Sequence, residues 1–178
     1  MKRRTAQFVI PVLLFFLMLL DSHISQALSA LTGNFFNPVS HLLLIALMYS
    51  VQRQRLSYLL IVSFVIGFIY DSYYIGVLGI ASAILPLLAL LIWQIRRTVF
   101  TNRWTRLLMV IILVFLFEAS LPLIESAAGL VQLDFASLVT QQLAPTLVLN
   151  VLLAAALQRP FERLFAIKKS NVTMLQNL

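Results

Sequence analysis

Charge divides this chain into long windows that contain none. Between the ionised residues lie stretches 5–20, 22–52, 56–70, 72–95, 107–117 and 135–158, all rich in Leu, Ile, Val and Phe. About 20 apolar residues let an α-helix cross roughly 30 Å of hydrocarbon. Soluble domains are about one quarter charged. Here 11% of 178 residues are charged and 61% are hydrophobic, too little charge to cover a water-facing globule. The windows therefore predict an all-α membrane protein with six spans, at about 6–26, 38–52, 56–72, 76–95, 107–126 and 136–158. Gly33, Asn34, Asn37 and Pro38 form the clearest loop, because Gly and Pro end helices and Asn supports turns.

The 13 basic residues stand in four groups: Lys2 to Arg4, Arg53 with Arg55, Arg96 to Arg106, and Arg159 to Lys169. The alternate connections carry no Lys or Arg, and the positive-inside bias makes the basic connections cytoplasmic. Both termini are expected inside. The same parity requires a fifth span, although its uncharged window is short, and that span carries Glu118 about 18 Å up the helix from Arg106, near mid-bilayer. Asp21, Asp71, Glu118, Glu125 and Asp134 fall toward the external side, whereas Glu162 sits among the cations. Lys2 to Arg4 followed by the apolar run Phe8 to Leu20 shares the flanks of a secretory signal, and is read as an uncleaved start-transfer anchor. Residues 1–158 are expected to form a single transmembrane domain, and 159–178 a cytoplasmic basic amphipathic tail. In that tail Phe161, Leu164 and Phe165 have helical spacing opposite cations, a pattern suited to an anionic leaflet, with the frayed end of the sixth helix as the alternative.

No cysteine is present, which removes disulfides and thiolate metal sites, and two histidines are too few for a histidine-rich metal centre. Neither a metal nor another cofactor is expected. Phosphate-binding glycine loops, nucleophile elbows and His-Glu-x-x-His pairs do not occur. The pI near 10.4 comes from cations at membrane edges and not from a soluble patch, so no nucleic-acid partner is expected. His23 and His41 read as hydrogen-bonding groups near the outer ends of their helices. Asp21 and Asp71 could approach at the outer surface, but no basic partner completes a catalytic set.

Polar residues inside apolar spans need partners. Glu118, with Glu125 two turns on and Pro122 between, is expected to bond another helix, with a partner contact or an ion path as alternatives. Gln141, Gln142 and Asn150, near Pro145 in the last span, are expected to make interhelical bonds, with a ligand pocket as the alternative.

The densest pattern runs from Gly67 through Tyr70-Asp71-Ser72-Tyr73-Tyr74 to Gly76 and Gly79. Asp71 lies about 24 Å from Arg55 along a helix, at the outer interface, with the tyrosines as an aromatic belt. Gly76, Gly79, Ser82 and Ala83 are expected to form a small-residue stripe on the fourth helix that allows close packing, with Pro86 bending it.

The Gly-x3-Asp-x4-Gly-x2-Gly pattern of Gly67, Asp71, Gly76 and Gly79, in a six-span chain of this length, resembles the bacterial rod shape-determining MreD family. The resemblance implies a non-enzymatic scaffold of the cell-elongation complex in the bacterial cytoplasmic membrane. Such a scaffold binds MreC and works indirectly with the actin-like MreB, a SEDS glycosyltransferase and a penicillin-binding transpeptidase in organising peptidoglycan synthesis. It makes Gly67, Asp71, Tyr73, Tyr74, Gly76 and Gly79 candidates for partner binding, with MreC docking in an outer-leaflet groove beside helices three and four. It also implies a fold similar to the substrate-binding (S) subunits of energy-coupling-factor transporters, which supply an alternative function. Against that alternative, Phe8 to Phe16 lacks the alanine-x3-alanine face that such subunits offer their coupling partner. Glu118, Gln141, Gln142 and Asn150 are moreover a thin polar set for a vitamin.

Overall fold

The computed structural model describes residues 3–33, 35–76, 79–127, 129 and 134–165, excluding the side chains of 3–7, Ile75, Glu125 and Ala127. Among the described residues the elements are all helical. They are α1 (Arg3–Leu31), α2 (Leu42–Ser50), α3 (Leu56–Tyr70, continued by a π-helical turn Asp71–Ile75), α4 (Ile80–Val99), α5 (Arg103–Ala127) and α6 (Phe135–Leu164). A second π-helical turn, Leu138–Leu143, lies inside α6. Every helix except α2 contains a segment long and apolar enough to cross a membrane.

The second expected span is corrected. Instead of a helix over 38–52, the chain is irregular up to His41 and only the nine residues of α2 are helical. At ~1.5 Å per residue that is about 14 Å, half a bilayer. All nine are buried. Such a helix starts inside the protein, and its first amides require acceptors from elsewhere in the fold.

Around it, α1, α3, α4, α5 and α6 follow one another in an arc, each packed on the next, and α2 packs on α1, α4, α5 and α6. The outer faces are apolar. On α1, Phe8, Val12 and Phe16 repeat every four residues and are exposed, as are Ile61, Phe64, Val65 and Phe68 on α3 and Leu108, Ile112 and Phe115 on α5. A surface of that kind is stable against lipid and not against water.

Two prolines inside helices bear on the site. Pro145 has no N–H to give to the carbonyl four residues earlier, and that carbonyl, Gln141 O, accepts the backbone N–H of Asn37 at 2.9 Å instead. Pro160 leaves α6 continuous, and the helix runs past 158 to Leu164. The expected lipid-facing tail is corrected over its described part: Phe161 and Phe165 are buried and stacked on Tyr49, while Leu164 is exposed. Residues 166–178, with Lys168 and Lys169, lie outside the described residues.

Candidate functional site: two polar clusters and a capped hairpin

The irregular segment ahead of α2 determines the first cluster. His41, at the N-cap of α2, gives no side-chain cap. Asp21, reaching across from α1, does so: its Oδ1 accepts from Leu42 N at 2.7 Å and its Oδ2 from Leu43 N at 2.9 Å, while Ser40 Oγ donates to Oδ1 at 2.6 Å. A carboxylate at a helix N-terminus both satisfies the amides and opposes the helix dipole. From α6, Asn150 Oδ1 accepts from His41 N at 2.8 Å, and its amide donates to Val39 O at 2.7 Å and Thr146 O at 2.8 Å. Thr146 Oγ1 accepts from Val39 N, and Ser25 Oγ from Ser40 N.

Glu118 completes the cluster. It is 3% exposed, with Oε1 2.6 Å from His41 Nε2 and Oε2 accepting from Gln142 Nε2 at 2.7 Å. Glu118 thus bonds two other elements, as expected from the sequence. His41, a hydrogen-bonding group at the end of its helix as expected, is buried, with its ring edge-on to Phe117. Gln141 is exposed and bonds only Ser137 through its side chain. The side chain of Glu125 lies outside the described residues. Neutral interhelical bonds in membranes average about 0.6 kcal/mol, whereas bonds to a buried charge contribute about 1.5–3 kcal/mol. Asp21 and Glu118 are therefore the strong members.

A second cluster lies at the other end of α2. Arg106 donates to Glu162 at 2.6 Å, and the Gln158 amide, with its oxygen turned toward Arg106, accepts from Nε and Nη2 at 3.0 Å. Arg53 Nε donates to Phe165 O at 2.6 Å. Between the two clusters α2 presents Leu44, Ile45, Leu47 and Met48, all essentially inaccessible.

The hairpin repeats the logic of Asp21. Asp71, at the end of α3, is 0% exposed. Its Oδ2 accepts from Gly79 N and Ser82 N at 3.0 Å and its Oδ1 from Ala81 N at 2.7 Å, capping the start of α4. Asp134 accepts from Ala136 N at the start of α6. Helices α2, α4 and α6 thus each begin at a carboxylate. Asp21 and Asp71 are separately engaged in this way and form no pair.

The small-residue stripe is corrected as well. Gly76 and Gly79 precede α4 in left-handed backbone, at φ 73° and 112°, and a Cβ on either would meet nothing within 4 Å. Their role is conformational. The close approach occurs at Gly67, where a Cβ would stand 2.6 Å from Ala81 O and Ser82 Cα. Gly79→Ala and Gly79→Leu are accordingly expected to lose similar stability, roughly 1–2 kcal/mol each. Unfolding temperatures in detergent check this; a loss that climbs with side-chain size would restore a packing role.

Comparison with known proteins now bears on this architecture. The family model for the rod shape-determining protein MreD matches residues 2–168. The chain belongs to the MreD family. It is 34% identical over 157 residues to the cell shape-determining protein MreD of Streptococcus pneumoniae (strain ATCC BAA-255 / R6), covering 86% of this chain and 93% of that one. No solved structure matches significantly. In this MreD-family chain two of the four motif residues are buried, Gly67 and Asp71, which join α3 to α4, whereas Gly76 and Gly79 are exposed and shape the turn between them. Tyr73 is 70% exposed, while Tyr74 is 39% exposed and donates to Met18 O at 3.3 Å. Sequence reasoning missed the capping role of Asp21 and the parts played by Ser25, Ser40 and Thr146. A lone acid at the outer end of a span was a usable signal for Asp21; nothing marked the others.

Proposed function

We propose that this chain is a non-enzymatic scaffold of the bacterial cell-elongation complex and that it binds MreC through the outward end of the α3–α4 hairpin. One observation carries this reading. Asp71 and Gly67 tie the hairpin together from within, and Tyr73 is left projecting from a rigid base. A tyrosine held this way offers large contact area at low entropic cost. Gly67, Asp71, Gly76 and Gly79 then serve partner binding by holding that surface in shape.

With both termini cytoplasmic, the hairpin faces outward, where the juxtamembrane part of MreC would meet it. The scaffold then relates external wall synthases, the SEDS glycosyltransferase and the penicillin-binding transpeptidase, to MreB filaments inside. The reading as a transporter substrate subunit has less support. Glu118, Gln142 and Asn150 are bonded to neighbouring groups of the fold, and the groove described below is apolar.

Recovery of MreC by the purified chain tests the surface. Tyr73→Ala is expected to lower recovery about tenfold, the effect of losing an aromatic anchor, with the unfolding temperature unchanged. Unaltered recovery would remove the hairpin from the interface.

A further inference from the structure

The chain from Asn37 to His41 has no regular secondary structure, and from Val39 to Leu42 successive amides alternate between α6 and α1. Asn37, Val39 and His41 donate to α6, at Gln141 O, Thr146 Oγ1 and Asn150 Oδ1. Ser40 donates to Ser25 of α1, and the next two amides, Leu42 and Leu43, donate to Asp21 of α1. This strap joins α1 to α6 by hydrogen bonds at the place where the arc of helices ends.

The two sides are unequal. On α1 the principal acceptor is a carboxylate, which takes two amides and the Ser40 hydroxyl. On α6 every acceptor is neutral: a carbonyl, a hydroxyl and a carboxamide. Charge-assisted bonds are about twice as strong as neutral ones. Packing is also incomplete here. A groove of about 480 Å³ opens along the seam, bounded by Leu28 of α1, Phe36 and Pro38 of the strap, and Pro145, Val148 and Leu152 of α6. The facing part of α6 contains the π-helical turn Leu138–Leu143 and Pro145, where the regular helical ladder is already broken. π-turns of this kind recur at functional sites.

We propose that the strap is a lateral gate: it parts from α6 while remaining latched to α1 through Asp21, and the seam groove deepens toward Thr146 and Asn150. The gate is independent of which partner the bundle holds, since every contact that defines it is internal.

Residue-resolved hydrogen exchange on the full chain in lipid nanodiscs tests it. Opening from α6 alone exposes one set of amides and keeps the other bonded. The Asn37, Val39 and His41 amides should exchange at least about tenfold faster than those of Ser40, Leu42 and Leu43. One common rate for both sets, or faster exchange on the α1 side, overturns the gate. Thr146→Val, which removes one acceptor at constant volume, provides a second arm. It should speed exchange at Val39 and His41 and leave Leu42 and Leu43 as they were. Equal acceleration of both sets would mean that the strap unravels as a whole, contrary to the proposal.

Discussion

Asp71→Leu is expected to destabilise the protein by roughly 3–5 kcal/mol, because the buried amides of Ala81 and Ser82, and the part-buried amide of Gly79, lose their acceptor. Leucine keeps the branched skeleton but carries two bulkier methyl groups, so crowding adds to the lost bonds, whereas asparagine matches aspartate in size. Asp71→Asn should fall between. Its one oxygen can keep the bond to Ala81 N, but its amide group then faces the N–H groups of Gly79 and Ser82, and about half of the stabilisation is expected to survive. Thermal unfolding in detergent, with membrane protein levels measured in parallel, gives the order. Equal losses in both variants would assign the whole effect to the negative charge acting on the α4 dipole. A leucine variant as stable as the parent would contradict the cap.

Gly67→Ala should have the second largest effect. Its methyl carbon would stand 2.6 Å from Ala81 O and Ser82 Cα. Both are backbone atoms of α4, so no side-chain rotation relieves the clash and the helices must separate. Overpacking of this kind costs about 1–3 kcal/mol, and valine should cost more than alanine. Since the displaced atoms belong to the residues whose amides Asp71 holds, Gly67→Ala and Asp71→Asn should be non-additive when combined. Additive unfolding free energies would mean that the close contact and the cap are separate features.

The five long spans were legible in the sequence because each leaves an uncharged window and because the cations alternate between connections. Helix α2 was not. Its window, 22–52, contains enough apolar residues for a span, and hydropathy carries no record of backbone amides taken by side chains from α1 and α6. The bonded state of Glu118 followed from the cost of an acid in lipid, but its partners, His41 and Gln142, depend on helix rotation that composition does not report. Gly76 and Gly79 illustrate a further limit. Glycine serves both close packing and left-handed backbone, and spacing alone does not separate the two; the packing glycine proved to be Gly67. Phe161 and Phe165 resembled a lipid-facing edge because their stacking partner, Tyr49, is more than a hundred residues away in the chain.

Burial of Gly67 and Asp71 and exposure of Tyr73 together make partner binding the central claim. The tagged chain, solubilised from native membranes and analysed by mass spectrometry for what accompanies it, tests that claim most directly. MreC is expected among the recovered proteins, and its yield should drop with Tyr73→Ala. Recovery of a coupling ATPase in place of MreC would contradict the account.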